Sequence, residues 1–272
     1  MTRVTLVMGI VNVTPDSFSD GGRFLDPQLA VDHARRLLAD GASIIDVGGE
    51  STRPGAARVT EADELERVIP VVRALAADGV AVSVDTMRAG VAQAAIDVGA
   101  ALINDVSGGR ADPDLLGVVA RSRAELVVMH WRAHSSEMQG RAQYGDVVTE
   151  VLAELLEQRD AALEAGIPAE RIILDPGLGF AKAWDHNWTL LRHLDRFAAD
   201  GHRVLVGASR KAFLGELLGG REPRGRDAAT AAVSFWCALH RVWAVRTHDV
   251  AAQADAVAVA RRLLAEAPLT LT

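Results

Sequence analysis

Short apolar runs alternate with longer amphipathic stretches along almost the whole chain. Eight runs rich in Val and Ile read as strands: residues 6–11, 43–47, 81–84, 102–105, 126–129, 171–174, 203–206 and 243–246. They are predominantly apolar, the pattern of strands covered on both faces of a parallel sheet. Between them, residues 30–40 repeat apolar positions three and four apart, as an amphipathic helix does. Residues 61–78 open on acidic side chains, which favour a helix N-terminus, and residues 88–98 and 146–165 continue the helical pattern. These stretches stop at Gly41, Gly79, Gly99 and Gly166, each soon followed by a strand run. Glycine accepts the left-handed conformation that ends a helix.

Eight strand–helix units predict a (β/α)8 TIM barrel, read as a single domain over residues 1–272. An open doubly wound sheet is the alternative, but no G-x-G-x-x-G turn follows the first strand. Residues 131–145 and 207–226 are longer and irregular. Both follow strands, so a barrel would place both on the face where the strands' C-terminal ends gather.

Composition narrows the class. Hydrophobic residues make up 49%, enough for a large core, and the net charge is −7 from 29 basic and 36 acidic residues. That balance argues against a nucleic-acid binder, whose domain is expected to be basic. The single Cys237 lies in an apolar stretch, which allows no internal disulfide and fits a reducing, cytoplasmic setting. No apolar run reaches membrane-spanning length, and the N-terminus lacks the small-residue cleavage pattern of a signal peptide.

The strand ends carry the chemistry. In order they offer Asn12, Asp46 with the run Gly48 to Gly55, Asp85, Asn104 and Asp105, His130, Asp175, Ser209 to Lys211, and Arg246 with His248 and Asp249. Asp and Asn cap helices, but Lys and Arg do not cap N-termini, and a polar group at every strand end exceeds capping. Asp85, Asn104 and Asp175 suit the donor edge of a flat, nitrogen-rich heterocycle, and Lys211 adds a donor for ring acceptors. Arg246, His248 and the Asn12 loop suit an anion, a phosphate in particular, with Mg2+ bridging it to the protein.

The motifs NVTPDSFSDGG, DVGGESTRPG, VDT, NDVSGG, LDPGLGF, GASRK and RTHDV, in that order, resemble the bacterial dihydropteroate synthases. The resemblance runs from about Met8 to Val250. It implies a barrel transferase of folate biosynthesis that joins a pterin pyrophosphate to p-aminobenzoate and releases pyrophosphate. It places pterin contacts on Asp85, Asn104, Asp175 and Lys211, and pyrophosphate contacts on Thr52, Arg246 and His248. It puts a metal ligand on Asn12, with Mg2+ as the cofactor, and an aminobenzoate pocket on Phe18, Pro54, Phe180 and Lys211. Lys211, Asp85, Asp175 and Arg246 are then the expected catalytic groups. A methyltetrahydrofolate–corrinoid methyltransferase would share the ring contacts but has no use for a pyrophosphate site. A non-catalytic pterin-binding paralogue could lose Asn12, Arg246 or His248, and all are present. Finally, residues 228–239 and 256–264 are apolar nearly all round, where an outer barrel helix should show a polar face. This reading, and the resemblance, favour a homodimer.

Overall fold

The computed structural model describes residues 4–14, 26–50, 59–133, 138–199 and 201–265. Its strands are β1 (Leu6–Asn12), β2 (Ile44–Gly48), β3 (Val82–Asp85), β4 (Leu102–Asp105), β5 (Glu125–Met129), β6 (Ile172–Asp175), β7 (Arg203–Val206) and β8 (Ala244–Thr247). Every neighbouring pair is parallel, and β8 pairs back onto β1 to close the barrel in sequence order.

Helices alternate with the strands. They are α1 (Pro27–Ala39), α2 (Glu61–Ala77), α3 (Ala89–Asp97), α4 (Leu115–Ala120) and α5 (Val147–Glu164). After β6 come α6 (Trp184–Arg192) and the one-turn α7 (Leu194–Phe197); after β7 come α8 (Ala212–Leu217) and α9 (Asp227–Leu239). The last is α10 (Val250–Leu264). Local chemistry explains several boundaries. The Asp26 carboxylate accepts from the Gln28 N–H, and Pro27 opens α1 where no donor is needed. Thr60 and Asp63 form a reciprocal capping box on α2. Asp146 accepts from the Val148 and Thr149 N–H groups at the head of α5. Gly41, Gly79, Gly99 and Gly166 all have positive φ, as their helix-ending positions require.

Strand periodicity then sorts side chains between two compartments. Val7, Val11, Ile45, Val47, Val82, Val84, Ile103, Val128, Leu174, Val206 and Val245 point outward into one continuous core beneath the helices. Met8, Ile44, Leu102, Val127, Ile173, Leu205 and Ala244 fill the barrel interior. The residues two further along each strand share that inward face: Asp46 above Ile44, Asn104 above Leu102, Asp175 above Ile173 and Arg246 above Ala244. The apolar plug is thus the floor, and the polar groups rise from it at the barrel mouth.

The two apolar segments lie in α9 and α10, which pack on each other and join through Ser234 Oγ donating to Gln253 Oε1 at 2.6 Å. Part of their surface is therefore covered within the chain. Trp236, Val259 and Leu263 remain 40%, 54% and 66% exposed. The 207–226 segment is less irregular than its pattern indicates: it holds α8 and a short 3-10 turn at Pro223–Arg226.

Candidate active site at the barrel mouth

Register sets the site. Gly48 pairs with Asp85, and Asp85 with Asn104, so three neighbouring strands end at one level. Arg246 on β8 pairs in register with Met8 of β1 and reaches across the interior. Its Nε donates to Asp46 Oδ2 at 2.6 Å and its Nη2 to Asp85 Oδ2 at 2.9 Å. Asp46 Oδ2 also accepts from Asn104 Nδ2 at 3.1 Å. One guanidinium therefore ties two carboxylates and an amide into a single cluster. Asp46 is wholly buried, and Asp85 and Asn104 nearly so.

Burial raises the Asp85 carboxyl; Arg246 opposes this and the Asp46 charge adds to it. Asp175, opposite, is also raised by burial, against the Gly177 N–H bond to its Oδ1 at 2.7 Å and the field of Lys211. Burial pushes the Lys211 ammonium down to about 7, with Asp175 pulling it back. Lys211 Nζ donates to the Leu178 carbonyl at 2.7 Å and stands 3.9 Å from the centre of the Phe180 ring. Carboxylates held high and a lysine held low are groups strained toward neutrality, a common property of sites awaiting a charged ligand.

The turn that carries Phe180 leaves no room for side chains at its glycines. Gly177 and Gly179 have φ of 68° and 79°. A Cβ on Gly177 would lie 2.7 Å from the His130 carbonyl, and one on Gly179 would lie 2.9 Å from Lys211 Cδ. On the other side, Arg210 adopts φ 59° and clamps Asp227 through both Nε and Nη2, at 2.7 and 2.8 Å. That clamp fixes the turn presenting Lys211. His248 lies just beyond β8, its ring Nδ1 2.9 Å from Ser209 Oγ, which also accepts from the His248 N–H. Asn12 ends β1, and its Oδ1 faces Gly48: a Cβ there would lie 3.8 Å from both Asn12 Oδ1 and Asp85 Oδ2.

The structure thus gathers Asn12, Asp85, Asn104, Asp175, Phe180, Lys211, Arg246 and His248 at one mouth. Phe18, Thr52 and Pro54 lie outside the described residues. Among the other polar strand ends, Asp105 turns outward and accepts from the Ser107 N–H and Oγ and the Gly109 N–H, a structural turn. Glu50 pairs with Arg88 at 2.8 Å. Sequence reasoning gave no role to Lys182, which is buried behind the Phe180 turn, and left Asp46 without one.

Set beside known proteins, the chain matches the pterin-binding enzymes over residues 8–248. It is 53% identical over 259 residues to the dihydropteroate synthase of Mycobacterium leprae, covering 93% of this chain and 91% of that protein. The Xanthomonas albilineans dihydropteroate synthase solved with 4-aminobenzoic acid superposes at a TM-score of 0.91, with 44% identity, over 97% of this chain and 94% of the other. The same organism's enzyme in complex with 7,8-dihydropteroate gives 0.88 at 42% identity, over 97% and 95%. The chain belongs to the pterin-binding enzyme family. Within that family its relatives are the dihydropteroate synthases.

Proposed function

We infer that the chain is a transferase of folate biosynthesis. It condenses 6-hydroxymethyl-7,8-dihydropterin pyrophosphate with p-aminobenzoate to give 7,8-dihydropteroate and pyrophosphate. The observation that carries this reading is the single cluster of Asp85, Asn104, Arg246 and Asp46 at the barrel mouth, faced by Asp175 and Lys211. Asp85, Asn104 and Asp175 supply acceptors for the ring's N–H edge, and Lys211 supplies a donor for its nitrogen and carbonyl acceptors. Arg246 and His248, with Thr52, meet the pyrophosphate. Phe180 and Lys211, with Phe18 and Pro54, meet the aminobenzoate.

The bond from the pterin methylene to the pyrophosphate oxygen breaks, leaving positive charge delocalised into the ring. The aniline nitrogen then bonds to that methylene and loses a proton. Carboxylates already fixed beneath the ring stabilise the cation, and Arg246 stabilises the departing anion, so catalysis is largely electrostatic preorganisation. The aniline needs no strong base.

Asn12 offers a hard oxygen beside a position without a side chain, and it is the residue that would hold Mg2+. Bound there, Mg2+ would neutralise the leaving group.

A homodimer through α9 and α10 accounts for the exposed Trp236, Val259 and Leu263. Among the described residues no helix is long and apolar enough to cross a membrane. The test of function is pyrophosphate release from pterin pyrophosphate, measured with and without p-aminobenzoate. Release that requires aminobenzoate is expected; release indifferent to it, or none, would overturn the reading.

A further inference from the structure

Behind the mouth lies a second lysine that the reaction does not itself require. Lys182 follows β6 by seven residues and is 2% exposed. Its Nζ donates to the Phe180 carbonyl at 2.9 Å and stands 3.0 Å from His130 Nδ1. His130, fully buried at the end of β5, places its Nε2 3.0 Å from Glu154 Oε2 on α5. Burial, and then Lys182, push the imidazole down to about 4, so it is neutral at physiological pH. Burial pushes Lys182 down as well, to about 7, so the direction of the line is set at its other end, by the Glu154 carboxylate, which can only accept. Nδ1 therefore accepts from Lys182, and Nε2 carries the proton and donates to Glu154. Burial works against the Glu154 carboxylate, but His130 and Arg132 hold it down to about 2. A directed line of hydrogen bonds thus runs from Glu154 through His130 and Lys182 to the Phe180 carbonyl.

That line ends where rigidity is needed. Ala181, between Phe180 and Lys182, has φ 48°, a left-handed conformation that L-residues rarely adopt and that persists only where neighbours enforce it. The Tyr144 hydroxyl donates to the Ala181 carbonyl at 2.9 Å, and the Asn187 side chain accepts from the Gly179 N–H at 2.6 Å. Lys211 lies on the opposite side of the same turn, donating to Leu178 and resting on the Phe180 ring. One lysine holds the turn from within the protein, and the other approaches it from the substrate side.

We propose that Lys182, oriented by His130 and Glu154, is a positioning residue that fixes the Phe180 turn as the wall of the aminobenzoate subsite. This rests on the assignment of Phe180 to that subsite. A residue that acts only through Phe180 should change aminobenzoate recognition more than pterin recognition: Asp85 and Asn104 lie on other strands, and Asp175, though it ends β6, precedes the turn and is held by the Gly177 N–H.

The experiment is steady-state kinetics with both substrates varied, plus calorimetry with pterin pyrophosphate, on Lys182→Met, Phe180→Ala and the double variant. Lys182→Met should raise the aminobenzoate KM about tenfold, the worth of one charge-assisted hydrogen bond, and leave pterin pyrophosphate affinity within about twofold. In the double variant the two effects should not add, because both act through one side chain. An unchanged KM in Lys182→Met beside a raised KM in Phe180→Ala would overturn the proposal. So would full additivity, or equal losses for both substrates. If Phe180→Ala itself leaves the aminobenzoate KM unchanged, the subsite assignment is wrong and the proposal falls with it. Should Lys182→Met fail to fold, Glu154→Gln, altered at the partly exposed end of the line, carries the test: a raised aminobenzoate KM supports the proposal, and an unchanged one overturns it.

Discussion

Replacing Lys211 with Met should make the protein more stable and a poorer catalyst at once. Burial holds the Lys211 ammonium near 7 in place of its ordinary 10.5. If the whole shift is borne by the folded state, it costs about 5 kcal/mol below neutral pH. The side chain keeps some contact with solvent, which screens the charge and reduces this to about 2 kcal/mol. Met fills much the same space but gives up the bond to the Leu178 carbonyl and the contact with the Phe180 ring, together about 1 kcal/mol. The balance is a gain of about 1 kcal/mol, or about 2–4 °C in melting temperature. The sign follows from the depressed value. The unfolded chain binds the proton more tightly, so the destabilisation is full below about pH 7 and fades as pH rises toward 10.5. The advantage of Lys211→Met should therefore be present at pH 6.5 and reversed by pH 10, where the lost contacts outweigh what remains of the penalty. Turnover should move the other way. A lost charged hydrogen bond to substrate corresponds to about 10- to 150-fold in kcat/KM for aminobenzoate. Calorimetric melting across pH, with kinetics at one pH, decides both halves. Unchanged turnover would remove Lys211 from the site, and a melting temperature lowered at pH 6.5 would refute the burial argument.

Asp46→Asn should lower stability by about 2 kcal/mol, since it removes the charge from a wholly buried acceptor of two hydrogen bonds. It should also weaken pterin binding through the released Asn104, which calorimetry would read; full pterin affinity would show that Asn104 is oriented without Asp46. Ser209→Ala should leave the fold intact and weaken pyrophosphate affinity severalfold, because the His248 ring and its N–H both bond to that hydroxyl; equilibrium binding of inorganic pyrophosphate checks it. In sedimentation at micromolar concentration the chain should run as a dimer. A single species near 29 kDa would mean that Trp236, Val259 and Leu263 face solvent.

The barrel was legible because its signal repeats. Residues 102–105 and 203–206 are strands with the boundaries their apolar runs predict, and the other strands shift by a residue or so. Helix α1 starts at Pro27, ahead of the apolar period at residue 30, because the Asp26 cap and Pro27 set its beginning. The short α4, α7 and α8 carried no readable period: four to six residues cannot display a 3.6-residue repeat. The all-round apolar reading of residues 228–239 also simplified matters, since Ser234 and Thr230 spend their hydroxyls inside the protein.

The candidate site residues stood out in the sequence for a different reason. A polar side chain at the end of an apolar strand is conspicuous one strand at a time, whereas its partners are not. Asp46 and Arg246 are separated by 200 positions, and His130 and Lys182 by 52. Neither pairing leaves a local trace. The wiring changes what the parts can do. Read singly, Arg246 is a free cation for pyrophosphate and Asp85 a free acceptor for the ring. In the fold they hold each other, and Asp46 adds a second negative charge, so the cluster is not cationic before substrate arrives. On the proposed assignment, a pterin N–H edge bonded to Asp85 would share that carboxylate with the guanidinium, which bonds its Oδ2. Charge drawn from Asp85 toward the ring would weaken its hold on Arg246, and the proposal predicts that ring and pyrophosphate are recognised jointly through this ion pair.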